Sequence, residues 1–576
     1  MNVARTPLFF GPESRSLFGW YHAPKERTRR EIAVLVCPPL GHEYIHSHRS
    51  LRHLTDRLAI AGIASLRFDY DGTGDSAGAE EDPGRVAAWR DSVRHAARTL
   101  RQLSGAERIV VAGFRFGATL AALFAAEEEV DGVVLWVPVV RGRAYSRELR
   151  AIHLTGENHS VTEAGEIEPG GFLLTEETQR DIAALNVENV VPKTKRALIV
   201  VREDAPADER LRDVWANAGI AVEQLSAGGY EEMLLPPHNA VVPTKAITDI
   251  VDWIARDAGK PAPQQSLPSV RTTHIVDGVR ESIVRVDDGV FGIVSEPVAG
   301  ARGDLPVLLL ANGGSTHHVG PNRLYVDVTR ALSRVGYRCL RYDLPGLGDS
   351  FIADPAEEND PYLSTSSAVI EKVMGAMQHD RFVSMGLCSG AHASFHAALD
   401  LDGASLVESV LINPLTFYYE PGMSLDQSNS QRYDEWQQYM RSMRTRGRWV
   451  KLLRGEVRMG SVARAVLQRF RDILSTRFAP LVERLRHERM ERRNDLERDL
   501  QRIIASGREL TFIFSRFDAG YDLLMMHGGP TVKRLRREGR INVWRIDHAN
   551  HTFEARRSRE QMVATLRQHL LARYAK

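Results

Sequence analysis

The chain repeats itself once over most of its length, and that repeat limits what it can become. AVLVCPPLGHEY, GIASLRFDYDGTGDS, RIVVAGFRFGATLAALFAA and GVVLWVP follow one another in the first half. VLLLANGGSTHH, GYRCLRYDLPGLGDS, RFVSMGLCSGAHASFHAA and ESVLINP follow in the same order about 275 residues later. RFDYDGTGDS aligns with RYDLPGLGDS without a gap, and GFRFGA aligns with GLCSGA. Solenoid units run to about 20–50 residues, so a period this long means a duplicated domain.

Each half alternates short apolar, β-branched runs with amphipathic helical stretches. In the second half the runs are Val307–Ala311, Arg338–Tyr342, Phe382–Met385, Ser409–Ile412, Leu510–Phe514 and Ile541–Ile546. Buried-looking strands separated by helices predict an α/β fold, with a mostly parallel sheet flanked by helices in each half. A helix ending at Trp253–Asp257 is followed by GKPAPQQSLP, whose Pro and Gln suit an extended linker. The expected domains are 1–258 and 270–576, joined by a linker at 259–269.

Seventy-five Lys and Arg against 74 Asp and Glu leave a formal charge of +1, which gives no general pull toward nucleic acid. Three cysteines, Cys37, Cys339 and Cys388, are too few for a disulfide framework, and a reducing cytoplasm is the expected setting. No run of 18 apolar residues and no signal-like start stands out, so no membrane span is expected.

Gly386-Leu387-Cys388-Ser389-Gly390 follows the run Phe382–Met385 and opens the helical stretch AHASFHAALDL. Glycines two before and two after Cys388 permit a sharp strand-to-helix turn that pushes the central side chain out at a helix N-terminus. The helix dipole and free N–H groups favour an anion there and lower a thiol's pKa.

Strand, G-x-nucleophile-x-G and helix, placed after D-x-x-G-x-G-D-S, resemble the α/β-hydrolase superfamily, in tandem. The second half is most similar to serine-aminopeptidase-like hydrolases. The central residue there is usually serine; polyhydroxyalkanoate synthases and dienelactone hydrolases resemble this chain in using cysteine. The resemblance implies a triad in the order nucleophile, acid, histidine. Asp518, past the strand Leu510–Phe514, is the expected acid, with Asp522 as fallback. His551, before Thr552-Phe553, is the expected base, with His548 as fallback. The expected oxyanion donors are the N–H of Ser389 and that of Gly314 or Ser315 in the loop Asn312–His318. Asp349 reads as a helix or loop cap, and His317-His318 as loop without recognisable ligand partners. No metal or cofactor is expected.

In the first half the turn reads Gly113-Phe114-Arg115-Phe116-Gly117. A guanidinium cannot attack a carbonyl, so this copy resembles a pseudo-hydrolase. Glu203, Asp204 and His238 read as remnants, and Cys37 as part of the oxyanion-loop position. Two uses remain: a structural one, and the binding of an anion at Arg115.

A basic helical insertion, about 417–507, stands where the family places its lid. Over 421–510 there are 20 Lys and Arg against 12 Asp and Glu, a net of +8. It reads either as a solvated cap or as a docking face for acyl-CoA or acyl carrier protein.

The expected activity is acyl transfer or thioester cleavage through an acyl-cysteine. Carboxylester or lactone hydrolysis is the alternative, and a non-catalytic scaffold is the rival from another class. An oligomer is compatible with the sequence.

Overall fold

Apolar runs buried on both faces dictate how the strands assemble. The structure, a computed structural model, describes residues 3–24, 29–156, 165–203, 209–260, 268–287, 289–420, 423, 495–516 and 518–575. The first sheet contains β1 (Ala4–Phe10), β2 (Leu17–Ala23), β3 (Ile32–Cys37), β4 (Ala64–Phe68), β5 (Arg108–Phe114), β6 (Gly132–Trp136), β7 (Arg196–Arg202) and β8 (Ala221–Ala227), in the order β1-β2-β4-β3-β5-β6-β7-β8. β1, β2 and β4 pair antiparallel; from β4 through β8 the pairing is parallel.

The second sheet repeats this plan with one more strand. It contains β9 (Thr273–Val276), β10 (Val279–Val286), β11 (Val290–Pro297), β12 (Val307–Ala311), β13 (Cys339–Tyr342), β14 (Phe382–Leu387), β15 (Leu406–Ile412), β16 (Glu509–Ser515) and β17 (Ile541–Ile546). Their order is β17-β16-β15-β14-β12-β13-β11-β10-β9. The expected α/β class with two mostly parallel sheets is what the chain adopts.

Residue alternation explains why the central strands are apolar throughout. In β3, Ala33, Leu35 and Cys37 enter one core while Ile32, Val34 and Val36 enter the core on the opposite face. In β12, Val307, Leu309 and Ala311 face one layer, Leu308 and Leu310 the other. Helices cover both faces, and each fully buried Val, Leu or Ile contributes roughly 1.5–3 kcal/mol.

The two domains pack through their repeated segments. Arg67 of the first pairs with Asp349 of the second, and Arg341 of the second pairs with Asp75 of the first at 2.9 Å. In the gapless alignment Arg67 matches Arg341 and Asp75 matches Asp349. The contact is therefore reciprocal, like the self-complementary face of a two-fold dimer. Asp349, expected as a cap, is instead buried and bonded across the interface by Arg67 and His48. His317 and His318, expected as plain loop, are likewise buried there. His318 bridges Asp343 at 2.9 Å and Asp75 at 2.6 Å, and Tyr44 lies 3.1 Å from His317.

Arg323 breaks the symmetry. Its guanidinium donates to the carbonyls of Gly72, Gly74, Ser76 and Gly78 at 2.6–3.1 Å, so the first domain's glycine loop wraps one side chain of the second. Phe9, Phe18 and Trp20 pack on Phe291 and Ile293 across the same interface.

The expected lid at 417–507 lies outside the described residues at 421–422 and 424–494, as does most of the linker, at 261–267. At the lid's described ends, Phe417 and Tyr418 are buried against Phe395, and a helix runs over Leu496–Ala505.

Candidate active site

β14 delivers its chain into the turn, and Cys388 sits between strand and helix with φ 58° and ψ −113°. Two glycines make this possible. A Cβ on Gly386 would lie 2.4 Å from the Gly390 carbonyl carbon, and one on Gly390 would lie 2.4 Å from the Asn312 carbonyl oxygen. Cys388 is thus held in strained backbone by close packing on both sides. Cys388 is partly exposed, whereas Cys37 and Cys339 are buried. Burial drives the Cys339 thiol up to about 12.

His551 and Asp518 arrive from the ends of β17 and β16. Asp518 caps the helix Ala519–Arg537, its Oδ1 accepting from the Gly520 N–H at 2.9 Å. That leaves Oδ2 facing His551 Nδ1 at 2.7 Å. Nε2 is buried and makes no hydrogen bond of normal geometry among the described residues. Burial lowers the imidazole's pKa, but Asp518 and the adjacent Cys388 sulfur raise it to about 10.

Cys388, His551 and Asp518 are thereby brought together. The fallback residues are not: Asp522 and His548 are both exposed. Asn413 holds the assembly, and sequence reasoning missed it. Its side chain donates to the His551 carbonyl at 2.7 Å and to Ser515 Oγ at 2.9 Å, and accepts from the Ser515 N–H at 2.8 Å. One buried amide at φ 43° so ties the acid and histidine loops to the end of β15. Tyr325 similarly braces the turn, its hydroxyl accepting from the Leu387 N–H at the strand end at 2.8 Å.

The expected oxyanion donors are only partly open. Ser389 opens the helix, where first-turn N–H groups have no intrahelical acceptor. The Gly314 N–H, however, donates to Ser389 Oγ at 3.0 Å. The Ser315 hydroxyl donates to the Asn359 carbonyl at 3.2 Å. A residue without a motif signal stands at the sulfur: Tyr362 Oη lies 3.8 Å from Cys388 Sγ.

The first domain keeps the turn and fills the position. Arg115 has φ 52° and ψ −119°, close to Cys388, and a Cβ on Gly117 would lie 2.2 Å from the Cys37 carbonyl oxygen. Its guanidinium pairs with Glu43 and with Glu148, each at 2.5 Å. Nε is thus held by Glu43 and Nη2 by Glu148, both from the first domain itself. Glu203 and His238 are exposed, and Asp204 lies outside the described residues.

Among the described residues, His318, Asp343 and Asp349 bring ligand-type atoms together. Both His318 nitrogens are already held by Asp343 and Asp75, so the group serves the interface.

The family model of serine aminopeptidase, S33, matches residues 34–164. That of the alpha/beta hydrolase family matches residues 308–565. No curated protein matches the chain. Among solved structures, Est1E from Butyrivibrio proteoclasticus, with ferulic acid bound, is 18% identical; the match covers 44% of this chain and 98% of that one, at a TM-score of 0.35. The alpha/beta hydrolase GrgF from Penicillium sp. sh18 is 16% identical, covering 44% and 99%, at 0.32. An esterase of Pyrococcus furiosus is 15% identical, covering 45% and 92%, at 0.32. With a hydrolase-type sheet, turn and family match in each half, the chain is a tandem of two α/β-hydrolase domains.

Proposed function

We propose that the second domain is an acyl-transfer or thioester-cleaving enzyme that works through an acyl-cysteine on Cys388. The observation that carries this reading is the Asp518–His551 contact of 2.7 Å with Cys388 acting on the same imidazole. Asp518 fixes the tautomer, and His551 holds the proton taken from the thiol. The thiolate attacks the carbonyl carbon; the oxyanion meets the Ser389 N–H. As the adduct collapses, His551 Nε2 gives its proton to the leaving group. Water or another nucleophile then takes the acyl group, with His551 as base.

Cysteine favours a thioester substrate. Exchange between thioesters is nearly balanced in free energy, so the acyl group stays activated for transfer. Candidate donors are acyl-CoA and acyl carrier protein, consistent with the +8 balance over 421–510. Carboxylester or lactone hydrolysis uses the same residues and is the alternative. A scaffold with two dead sites would have no need of Asp518 aligned on His551.

Intact mass spectrometry after incubation with acyl-CoAs and acyl-N-acetylcysteamine thioesters tests the reading. An acyl adduct on wild type and none on Cys388→Ala is the expected result, and its lifetime separates transfer from hydrolysis. No adduct and no turnover across the panel would overturn it.

A further inference from the structure

We propose that Tyr362 is a catalytic residue of this site, its hydroxyl serving as a hydrogen-bond donor to the oxyanion formed when Cys388 takes up an acyl group. The proposal rests on the acyl-cysteine reading and adds a group that no motif marks.

Tyr362 Oη stands 3.8 Å from Cys388 Sγ. The oxyanion forms on a carbon bonded to that sulfur, one bond further out, within reach of a donor so placed. The expected donors were the Ser389 N–H and that of Gly314 or Ser315, and of these the Gly314 N–H is bonded to Ser389 Oγ at 3.0 Å. The Ser315 hydroxyl is turned to the Asn359 carbonyl at 3.2 Å. That bond ties the oxyanion loop to the segment carrying Tyr362, three residues on.

The ring is held for the task. It stacks on Tyr419 at 4.4 Å between centroids, with planes 17° apart, and meets the edge of His392 at 5.1 Å. A phenol fixed between two rings needs little reorganisation when charge develops beside it. Burial, then the adjacent Cys388 sulfur, raises its pKa well above the ordinary tyrosine value, so it remains a donor at neutral pH.

The step balances without proton transfer from Tyr362. A thiolate lone pair forms the S–C bond, and the carbonyl π pair moves onto oxygen, where the Tyr362 O–H donates a hydrogen bond. On collapse the pair returns, the bond to the leaving thiolate breaks, and that thiolate takes the proton from His551 Nε2.

Tyr362→Phe keeps the stacked ring and removes only the donor. Two rates are compared: acylation by hexanoyl-N-acetylcysteamine thioester, followed by intact mass, and alkylation by iodoacetamide, a displacement with no oxyanion. Acylation is expected to fall roughly 10²-fold while alkylation stays within about threefold of wild type. Acylation within about twofold of wild type, or both rates falling together, overturns the proposal. Should the variant lose its melting transition, 3,5-difluorotyrosine placed at 362 in the full chain decides. Its more acidic phenol donates a stronger hydrogen bond, so the ratio of acylation to alkylation at pH 6 is expected to rise; an unchanged or lower ratio overturns the proposal. Absence of any adduct on wild type, with Cys388 alkylating normally, instead removes the acyl-cysteine reading and this proposal with it.

Discussion

Arg341 Nη2 lies 2.9 Å from Asp75 Oδ1 across the domain interface, fully buried on both sides. Arg341 also reaches Glu281 at 2.9 Å, so one guanidinium joins the first domain's glycine loop to the second domain's β10. Removing one partner of such a pair leaves an uncompensated charge in low dielectric. Arg341→Met is expected to cost about 3–5 kcal/mol, read as a shift of the denaturant midpoint. Adding Asp75→Asn is expected to deepen that loss, because Asp75 also holds the buried His318 at 2.6 Å and that imidazolium would lose a partner. A single variant as stable as wild type would show that the interface does not depend on the pair.

His318 makes the same interface sensitive to pH. Burial lowers its pKa, but Asp75 and Asp343 raise it to about 10, above the ordinary value of 6.5. Its contribution is therefore complete below about pH 6.5 and lost as pH rises through about 10. Stability is expected to fall over that window by as much as about 1.4 kcal/mol per pH unit for this one proton. His551 titrates over the same range, so the comparison is between wild type and His318→Gln, whose denaturant stability is expected to decline less steeply with pH. Equal slopes would refute the assignment.

The Asp518–His551 contact predicts a tautomer effect. Asp518→Asn keeps the shape but lets the amide favour the wrong ring nitrogen. Acylation of Cys388 is expected to fall roughly 10²–10⁴-fold, with the melting temperature changed far less than the rate. His551→Ala is expected to slow iodoacetamide alkylation at pH 7, since the thiolate loses its cation. Alkylation at the wild-type rate in that variant would remove the ion pair from the mechanism.

Arg115 is predicted to matter for the fold and not for the chemistry. Glu43, with a side chain only 3% exposed, would be left unpaired by Arg115→Ala. A loss of about 3–5 kcal/mol is expected, while the acylation rate of folded protein stays near wild type. A rate that collapses with unchanged stability would give the first domain a part in the reaction.

The candidate site was legible wherever chemistry demands a residue in a fixed frame. Gly386 and Gly390 show in the sequence because any Cβ there collides with backbone, and Cys388 because it stands between them. Asp518 and His551 could be selected by order and by the strand each follows. Tyr362 and Asn413 could not, since a tyrosine in a loop and an asparagine after a strand look the same whether they touch the site or solvent. Arg323 and Asp349 were illegible for a related reason. Nothing in a run of residues tells a cap from an ion pair whose partner lies more than 200 positions away.

The amino-acid sequence by itself determined the duplication, the strands of the central sheets and the arginine at the centre of the first domain's turn. These rest on local patterns: alternation of apolar residues, glycines at forced turns, and a guanidinium that cannot attack. Only the tertiary structure decided how the halves meet and which donors remain open around Cys388. Those outcomes depend on desolvated charges finding partners in the opposite domain, and on hydrogen bonds such as Gly314 to Ser389 that engage a group the motif left free.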